Sequence, residues 1–205
     1  MSELLPNPEH YFREFLPQRD QLLHDLEHEA HIEGIPIVGP VVGELLFILA
    51  RVTGAANLLE LGTATGYSAI YLARGCEPAG GRVLTLEMDK AMVARAQGSL
   101  EEAELSQRVE VRPGDALQLM AAMEGPFDFI FMDLDKESYL PALPHCRRLL
   151  KPGGLLVTDN VAFTGASPFN QEIFASKDWR TVHLLSFLPN HSPEHDGLSL
   201  AVRVK

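Results

Sequence analysis

The sequence predicts a single α/β domain built on a mostly parallel sheet. Of the 205 residues, 46% are hydrophobic, which suffices for one large core and is too little for two domains of ordinary size. From Asn57 onward, short apolar runs alternate with helical patterns, and the loops between them are short. Repeated β-α order with short loops requires right-handed crossovers and therefore a parallel sheet.

The alternating region contains five predicted strands, four of them followed by a predicted helix. The strands span residues 58–61, 83–86, 109–112, 127–132 and 154–158, and the helices span 67–74, 90–103, 116–123 and 139–150. A helix over 169–176 and strands over 181–188 and 198–204 follow. Since only about ten residues separate the last two strands, they can pair as a hairpin and close the sheet with an antiparallel strand.

Residues 1–53 are predicted to form a helical segment ahead of the sheet of residues 54–205. Residues 8 to about 33 are amphipathic, and Pro17 divides them into two helices. We expect the apolar positions of this segment to pack in the core, and Trp179 as well. These positions are Phe12, Phe15, Leu22, Leu23, Leu26 and Ile32. After the Gly/Pro stretch 34–40, residues 41–51 form a mostly buried helix. Whether these helices cover a cleft or form a dimer face stays open.

Charge and cysteine content limit the classes of function that the sequence can have. The formal net charge is −11 without any run of Lys or Arg, so nucleic-acid binding is not expected. Cys76 and Cys146 form no CxxC pattern and are interpreted as ordinary, partly buried thiols. No apolar stretch has the length of a membrane span and no leader is evident, so we expect a cytoplasmic protein.

A glycine turn joins the first strand to the first helix of the sheet. Gly62 and Gly66 allow the backbone to approach a ligand closely, and the following helix offers unpaired N–H groups to an anion. The spacing is GxxxG rather than the GxGxxG of dinucleotide enzymes. A tight packing turn explains this fragment equally well.

Together with this turn, two acidic residues at strand ends predict a nucleoside-binding pocket. Glu87 ends the second strand, where a carboxylate can accept both hydroxyls of a ribose. Asp115 follows the third strand, where it either borders a base or caps the next helix, and the sequence supports both alternatives equally.

Two polar clusters follow neighbouring apolar strands, Asp133-Leu134-Asp135-Lys136 and Asp159-Asn160. In a doubly wound sheet the carboxyl ends of the strands share one crevice, so oxygen ligands and a lysine would meet there. This combination suits a divalent cation beside a base. Singly, each cluster fits a solvated loop or an Asx turn. The order strand–DxDK–helix–strand–DN favours the functional interpretation.

These motifs resemble those of class I S-adenosylmethionine-dependent methyltransferases, and more narrowly the cation-dependent O-methyltransferases related to caffeoyl-CoA and catechol O-methyltransferases. The resemblance runs from about Gly43 to the C-terminus. Its sharpest matches are LLELGTATGYSAIYLA, FDFIFMDLDKESY, KPGGLLVTDNVAFTG and the late DGL. It implies a three-layer Rossmann-like sheet of seven strands with the last antiparallel, additional N-terminal helices, and a homodimer.

The resemblance also implies residue roles. Glu60, Gly62, Thr63 and Ser68 would hold the methionine end of S-adenosylmethionine, Glu87 its ribose, and Asp115 and Ala116 would lie at its adenine. Asp135 would sit near the cofactor's amino group, and Asp133 would border both the cofactor and the metal. Asp133, Asp159 and Asn160 would ligate a divalent cation, with Mg²⁺ expected and Mn²⁺ or Ca²⁺ as alternatives. Lys136 would be the general base.

The acceptor site departs from the family pattern. Ala162 and Phe163 replace a larger pair in DNxLWxG, and the segment after Gly165 is short. The leading expectation is a small catechol-like or vicinal-diol acceptor. The alternatives are a hydroxylated uridine in tRNA, which the net charge disfavours, a nicotinamide-dependent enzyme, which the GxxxG spacing disfavours, and a non-catalytic binding protein.

Overall fold

The computed structural model describes residues 4–187 and 195–205, which form a seven-stranded mixed sheet flanked by helices. The strands are β1 (Asn57–Leu61), β2 (Arg82–Glu87), β3 (Val109–Pro113), β4 (Phe127–Met132), β5 (Leu150–Thr158), β6 (Trp179–Phe187) and β7 (His195–Arg203). Their order is β3-β2-β1-β4-β5-β7-β6. Pairs among β1–β5 are parallel, and β7 is antiparallel to both neighbours. The predicted α/β fold is confirmed, and Leu188 of the sixth predicted strand lies outside the described residues.

The described part of the chain contains eight α-helices. They are α1 (Pro8–Arg13), α2 (Gln21–Glu33), α3 (Gly39–Thr53), α4 (Tyr67–Cys76), α5 (Lys90–Glu102), α6 (Ala116–Ala122), α7 (Tyr139–Leu149) and α8 (Ser167–Ala175). Of these, α2–α8 contribute buried residues to the structure. Successive strand residues point to opposite faces. In β4, Phe129 and Phe131 therefore pack with α3 and α4, whereas Ile130 and Met132 pack with α6, α7 and α8.

Helices α2 and α3 dock on the first of these faces. Asp20 caps α2 by accepting from the Leu23 N–H, and Leu23 and Leu26 are buried in the core. On α3, Gly43 lies against the Tyr71 ring, and an added Cβ would stand 2.6 Å from it. This close approach joins α3 to α4. The described helices include none that is both long and apolar enough to cross a membrane.

One packing prediction in this segment is wrong. Phe12, Phe15 and Ile32 are 55%, 65% and 67% exposed, so they do not belong to the core. The amphipathic pattern does not continue from α1 into α2, because residues 14–20 between them are not helical. Tyr11 instead packs on Phe12 and Phe15, with ring centroids 5.7 and 4.7 Å apart. The predicted burial of Trp179 is confirmed.

Candidate active site

A cavity of about 420 Å³ opens at the carboxyl ends of the central parallel strands. Eleven of the twelve residues to which the resemblance assigns a role line it: Gly62, Thr63, Ser68, Glu87, Asp115, Ala116, Asp133, Asp135, Lys136, Asp159 and Asn160. Gly66 of the glycine turn is not among the lining residues. Glu60 lies in β1 and is fully buried. The fold therefore brings the predicted site residues together, as the shared edge of a parallel sheet requires.

The glycine turn passes directly over the end of β4. Gly62 has φ +92°, and a side chain there would collide with the Asp133 carbonyl oxygen. The Gly62 N–H donates to the Leu86 carbonyl at 3.0 Å, and the Gly66 N–H donates to the Thr63 carbonyl at 2.9 Å. Glycine is thus required at position 62 for both the backbone conformation and the close strand packing.

Glu87 holds this turn in place from the end of β2. Its Oε2 accepts from the Thr63 N–H at 3.1 Å and the Ala64 N–H at 2.9 Å, and its Oε1 accepts from the Asp89 N–H at 2.8 Å. Asp89 in turn caps α5. A carboxylate has about four acceptor positions, so Glu87 keeps capacity for a ligand hydroxyl in the cavity.

Glu60 is a buried acid whose two oxygens have no hydrogen-bond partner in the described structure. Burial raises the pKa of Glu60 to about 7. The hydroxyls of Ser68 and Thr85 oppose the rise, whereas the charges of Asp133 and Glu87 add to it. An isolated buried carboxylate is costly unless it meets an opposite charge. A cationic group bound nearby would therefore stabilise the ionised form of Glu60.

Asp115 serves as a helix cap and also lines the cavity. Its Oδ1 accepts from the Gln118 N–H at 2.8 Å at the start of α6, which confirms the capping interpretation. Ala116 follows on the same cavity wall and is buried. Their location beside a bound base stays a prediction.

The two polar clusters meet where β4 and β5 end. The Asp133 N–H donates to the Leu61 carbonyl at 2.9 Å, and the Asp159 N–H donates to the Met132 carbonyl at 3.0 Å, so the sheet hydrogen bonds fix both residues. Asp159 is 1% exposed, and its Oδ1 has no hydrogen-bond partner within residues 4–187 and 195–205. A buried acceptor of this kind can bind an ion or a water molecule.

Lys136 directs its ammonium group into this cluster of oxygens. Its Nζ donates to Asn160 Oδ1 at 2.7 Å, the Leu134 carbonyl at 3.0 Å and Asp133 Oδ1 at 3.2 Å. The predicted base thus contacts two of the three predicted metal ligands. Its position shows that the cluster accepts a positive charge.

The local electrostatics also favour a cation. Burial raises the pKa of Asp159 well above its usual range, and the charge of Asp133 raises it further. Burial likewise raises the pKa of Asp133, although Lys136 opposes this. The described residues contain no group of three or more His, Cys, Asp and Glu side chains suited to a metal ion. The candidate ligands are instead two carboxylates and one amide, an all-oxygen set that suits a hard cation.

Comparison with known proteins identifies the family. A sequence profile of O-methyltransferases matches residues 18–185. The chain is also 34% identical over 223 aligned positions to a catechol O-methyltransferase from Niastella koreensis, covering 98% of each chain. The chain belongs to the O-methyltransferase family. The family inferred from the sequence motifs is therefore confirmed.

Two solved structures extend this result to the fold of this O-methyltransferase. An O-methyltransferase from Bacillus cereus in complex with SAH superposes with a TM-score of 0.86 at 31% identity, covering 96% of each chain. The O-methyltransferase TomG from Streptomyces achromogenes, in complex with SAM, superposes with a TM-score of 0.87 at 27% identity, covering 97% of this chain and 96% of the other. The Rossmann-like class I methyltransferase fold is confirmed.

Two contributors to the site of this O-methyltransferase carried no predicted role. Asp196, on β7, is 1% exposed and accepts from Asn160 Nδ2 at 2.7 Å. The only sequence signal for it was its place in the DGL motif. Pro36 and Ile37, between α2 and α3, line the cavity. The N-terminal segment therefore forms part of the cavity wall.

Proposed function

We propose that this protein transfers the methyl group of S-adenosylmethionine to a hydroxyl oxygen of a small catechol-like or vicinal-diol acceptor, with assistance from a divalent cation. One observation carries the proposal: the glycine turn, three candidate oxygen ligands and a lysine amine share a single cavity. The Niastella koreensis relative is a catechol O-methyltransferase, and the Bacillus cereus structure holds SAH, which support this acceptor class and this methyl donor.

The methyl donor would be oriented by the glycine turn and the strand-end acids. Gly62, Thr63 and Ser68 would contact its methionine end at the start of α4, where backbone N–H groups favour a carboxylate. Glu60 would offset the ammonium charge from within the sheet. Glu87 would accept a ribose hydroxyl at its remaining acceptor position. The cavity wall at the adenine would be formed by Asp115 and Ala116. Asp135 would lie near the cofactor's amino group.

A divalent cation fits the residues at the ends of β4 and β5. Asp133, Asp159 and Asn160 would hold it, and Asp159 Oδ1 lacks any other partner among the described residues. Mg²⁺ is the first choice because it takes carboxylate oxygens and keeps waters, and Mn²⁺ and Ca²⁺ have similar ligand preferences. When bound, the cation would supply positive charge that lowers the pKa of an acceptor hydroxyl.

Lys136 would act as the base in the transfer. Its Nζ contacts Asn160 and Asp133 now. The ammonium form of Lys136 would be disfavoured by a bound cation, and its neutral amine would then take the proton of the acceptor hydroxyl. The electron pair of that oxygen then forms the new bond to the methyl carbon. The bond from carbon to sulfur breaks, and its electron pair stays on sulfur to give a thioether. Orientation of the two reactants in the cavity supplies most of the rate gain.

An acceptor assay tests this function. The protein is incubated with methyl-labelled S-adenosylmethionine and a panel of catechols, with and without chelator, and separately with tRNA. We expect label on catechols, loss of transfer with chelator, and recovery after Mg²⁺ is added. Transfer to tRNA alone would favour the hydroxylated uridine instead. Cofactor binding without transfer to any acceptor would favour a non-catalytic binding protein.

Replacement of one candidate ligand tests the cation site. Asp159→Ala should abolish turnover and leave S-adenosylmethionine affinity, measured by calorimetry, nearly intact. Asp25→Ala serves as control because Asp25 is exposed on α2. Loss of cofactor affinity with retained turnover would contradict the assignment of Asp159 as a metal ligand.

We also propose that the protein is a cytoplasmic homodimer. Large apolar side chains are exposed on neighbouring surfaces of α3 and β6, namely Ile48, Val52, Val182 and Leu184. Exposed apolar patches of this kind mark protein interfaces. Cys76 and Cys146 are buried free thiols, which suits a reducing compartment. Sedimentation of the protein and of Leu184→Asp should give a dimer and a monomer respectively.

A further inference from the structure

The side-chain amide of Asn160 lies between two partners of opposite hydrogen-bonding character. The Lys136 ammonium has only donors, and its Nζ lies 2.7 Å from Asn160 Oδ1. The Asp196 carboxylate has only acceptors when ionised, and its Oδ2 lies 2.7 Å from Asn160 Nδ2. Reversal of the amide would place donor against donor and acceptor against acceptor. The two partners therefore specify one orientation, with the oxygen on the side of Lys136.

Asp196 is itself held rigidly. It is 1% exposed, and its Oδ1 accepts from the Ala162 N–H at 3.0 Å and from its neighbour's backbone, the Gly197 N–H. The Val161 N–H also donates to the Gly197 carbonyl at 2.9 Å. These bonds join β7 to the residues that follow β5. Asp196 therefore restrains the turn that carries Asn160 relative to β7.

Asn160 needs such support because its backbone is not in a common conformation. Its φ is +53°, in the left-handed region that asparagine tolerates better than most residues. Its side chain is the only amide among the three candidate ligands. Asp133 and Asp159 can present either carboxylate oxygen, but an amide presents an oxygen in only one of its two orientations.

We propose that Asp196 is a positioning residue that fixes the amide of Asn160, so that its oxygen and not its nitrogen faces the divalent cation. This inference rests on the cation site proposed above. Hard cations bind oxygen, and an amide nitrogen carries two hydrogens that would point at the positive charge. Partners of metal ligands typically contribute 10–100-fold to metal affinity.

The variant Asp196→Asn tests the proposal with little change in shape. Its Oδ1 can still accept from the Ala162 and Gly197 N–H groups, but an NH₂ group now faces Asn160. With its oxygen toward Lys136 the Asn160 amide now meets a donor at position 196. With its nitrogen toward Lys136 it presents no oxygen to the cavity, so neither orientation serves the cation. We expect Mn²⁺ affinity, measured from the free-ion signal in electron paramagnetic resonance, to fall at least about tenfold.

A double variant separates positioning from a purely structural role. Asn160→Asp combined with Asp196→Asn restores a donor facing an acceptor, with the roles exchanged and the summed charge of the pair unchanged. A carboxylate oxygen again faces the cavity, so most of the lost Mn²⁺ affinity should return. Failure of the folded double variant to recover affinity above that of Asp196→Asn would overturn the proposal.

Asp128→Asn is a matched control at the opposite end of the sheet. Asp128 Oδ2 also accepts from two backbone N–H groups, those of Ala56 and Asn57, each at 2.7 Å. This variant should bind Mn²⁺ as the wild type does. Equal binding by the wild type and Asp196→Asn would overturn this inference alone. Absence of Mn²⁺ binding by the wild type would overturn the proposed cation site together with it.

Discussion

Glu60 offers a test of the site through protein stability. Its carboxyl group is fully buried, and neither oxygen has a hydrogen-bond partner in the part of the chain that the structure describes. The pKa of Glu60 is therefore raised from 4.5 to about 7, chiefly by burial. In the unfolded chain this group regains its ordinary pKa, so its ionisation opposes folding.

The sign and size of the effect follow from linkage. Between pH 4.5 and about 7 the folded state holds the proton and the unfolded state releases it, so stability falls as pH rises through this range. One pKa unit corresponds to about 1.4 kcal/mol, so the full effect above pH 7 is about 3 kcal/mol. Most of it, about 2.5 kcal/mol, should develop between pH 5 and pH 8.

The variant Glu60→Gln removes this titration. Free energies of unfolding are measured in urea at pH 5 and pH 8, without ligand, for the wild type, Glu60→Gln and Glu101→Gln, an exposed control on α5. The wild type and the control should lose about 2.5 kcal/mol more than Glu60→Gln over this range. Saturating S-adenosylmethionine should reduce that difference, because its ammonium group would favour ionised Glu60. Equal pH dependence in all three proteins would refute the reasoning.

Three further substitutions test the base, the turn and the docking of α2. Lys136→Ala should lower turnover by at least about 100-fold and remove one limb of the pH–rate profile in a folded protein, and an unchanged profile would exclude Lys136 as base. Gly62→Ala should destabilise by about 3 kcal/mol in urea unfolding, because a side chain there meets the Asp133 carbonyl at positive φ, and wild-type stability would contradict this. Tyr67→Phe removes the 2.7 Å hydrogen bond from Tyr67 to Glu27 and should lower the unfolding free energy by about 1.5 kcal/mol; a change near zero would show that solvent replaces this bond.

Local sequence patterns predicted most of the sheet and the location of the site. The apolar runs in β1, in β4 and in the second half of β5 are buried on both faces, so they are recognisable without long-range information. All parallel strands open their carboxyl ends at one edge. Gly62, Glu87, Asp133 and Asp159 could therefore be assigned to one cavity from their positions after strands alone.

Burial was predicted least well in the N-terminal helical segment, where the local pattern does not indicate which helix face meets the core. Phe12 and Phe15 fit an amphipathic helix, but the phase of α1 is independent of that of α2 because α1 ends at Arg13 and residues 14–20 are not helical. Periodicity specifies which residues share a face of a helix. It does not specify whether that face meets the core.

The sequence by itself determined the fold, the family and the edge of the sheet at which the cavity lies, because strand ends and tight turns are local properties of the chain. Only the tertiary structure revealed that Asp196 lies against Asn160, 36 residues away. That contact depends on the antiparallel register of β5 and β7, in which Thr158 pairs with Ser199. Packing of the two strands sets this register, so no local pattern specifies which acid reaches the amide.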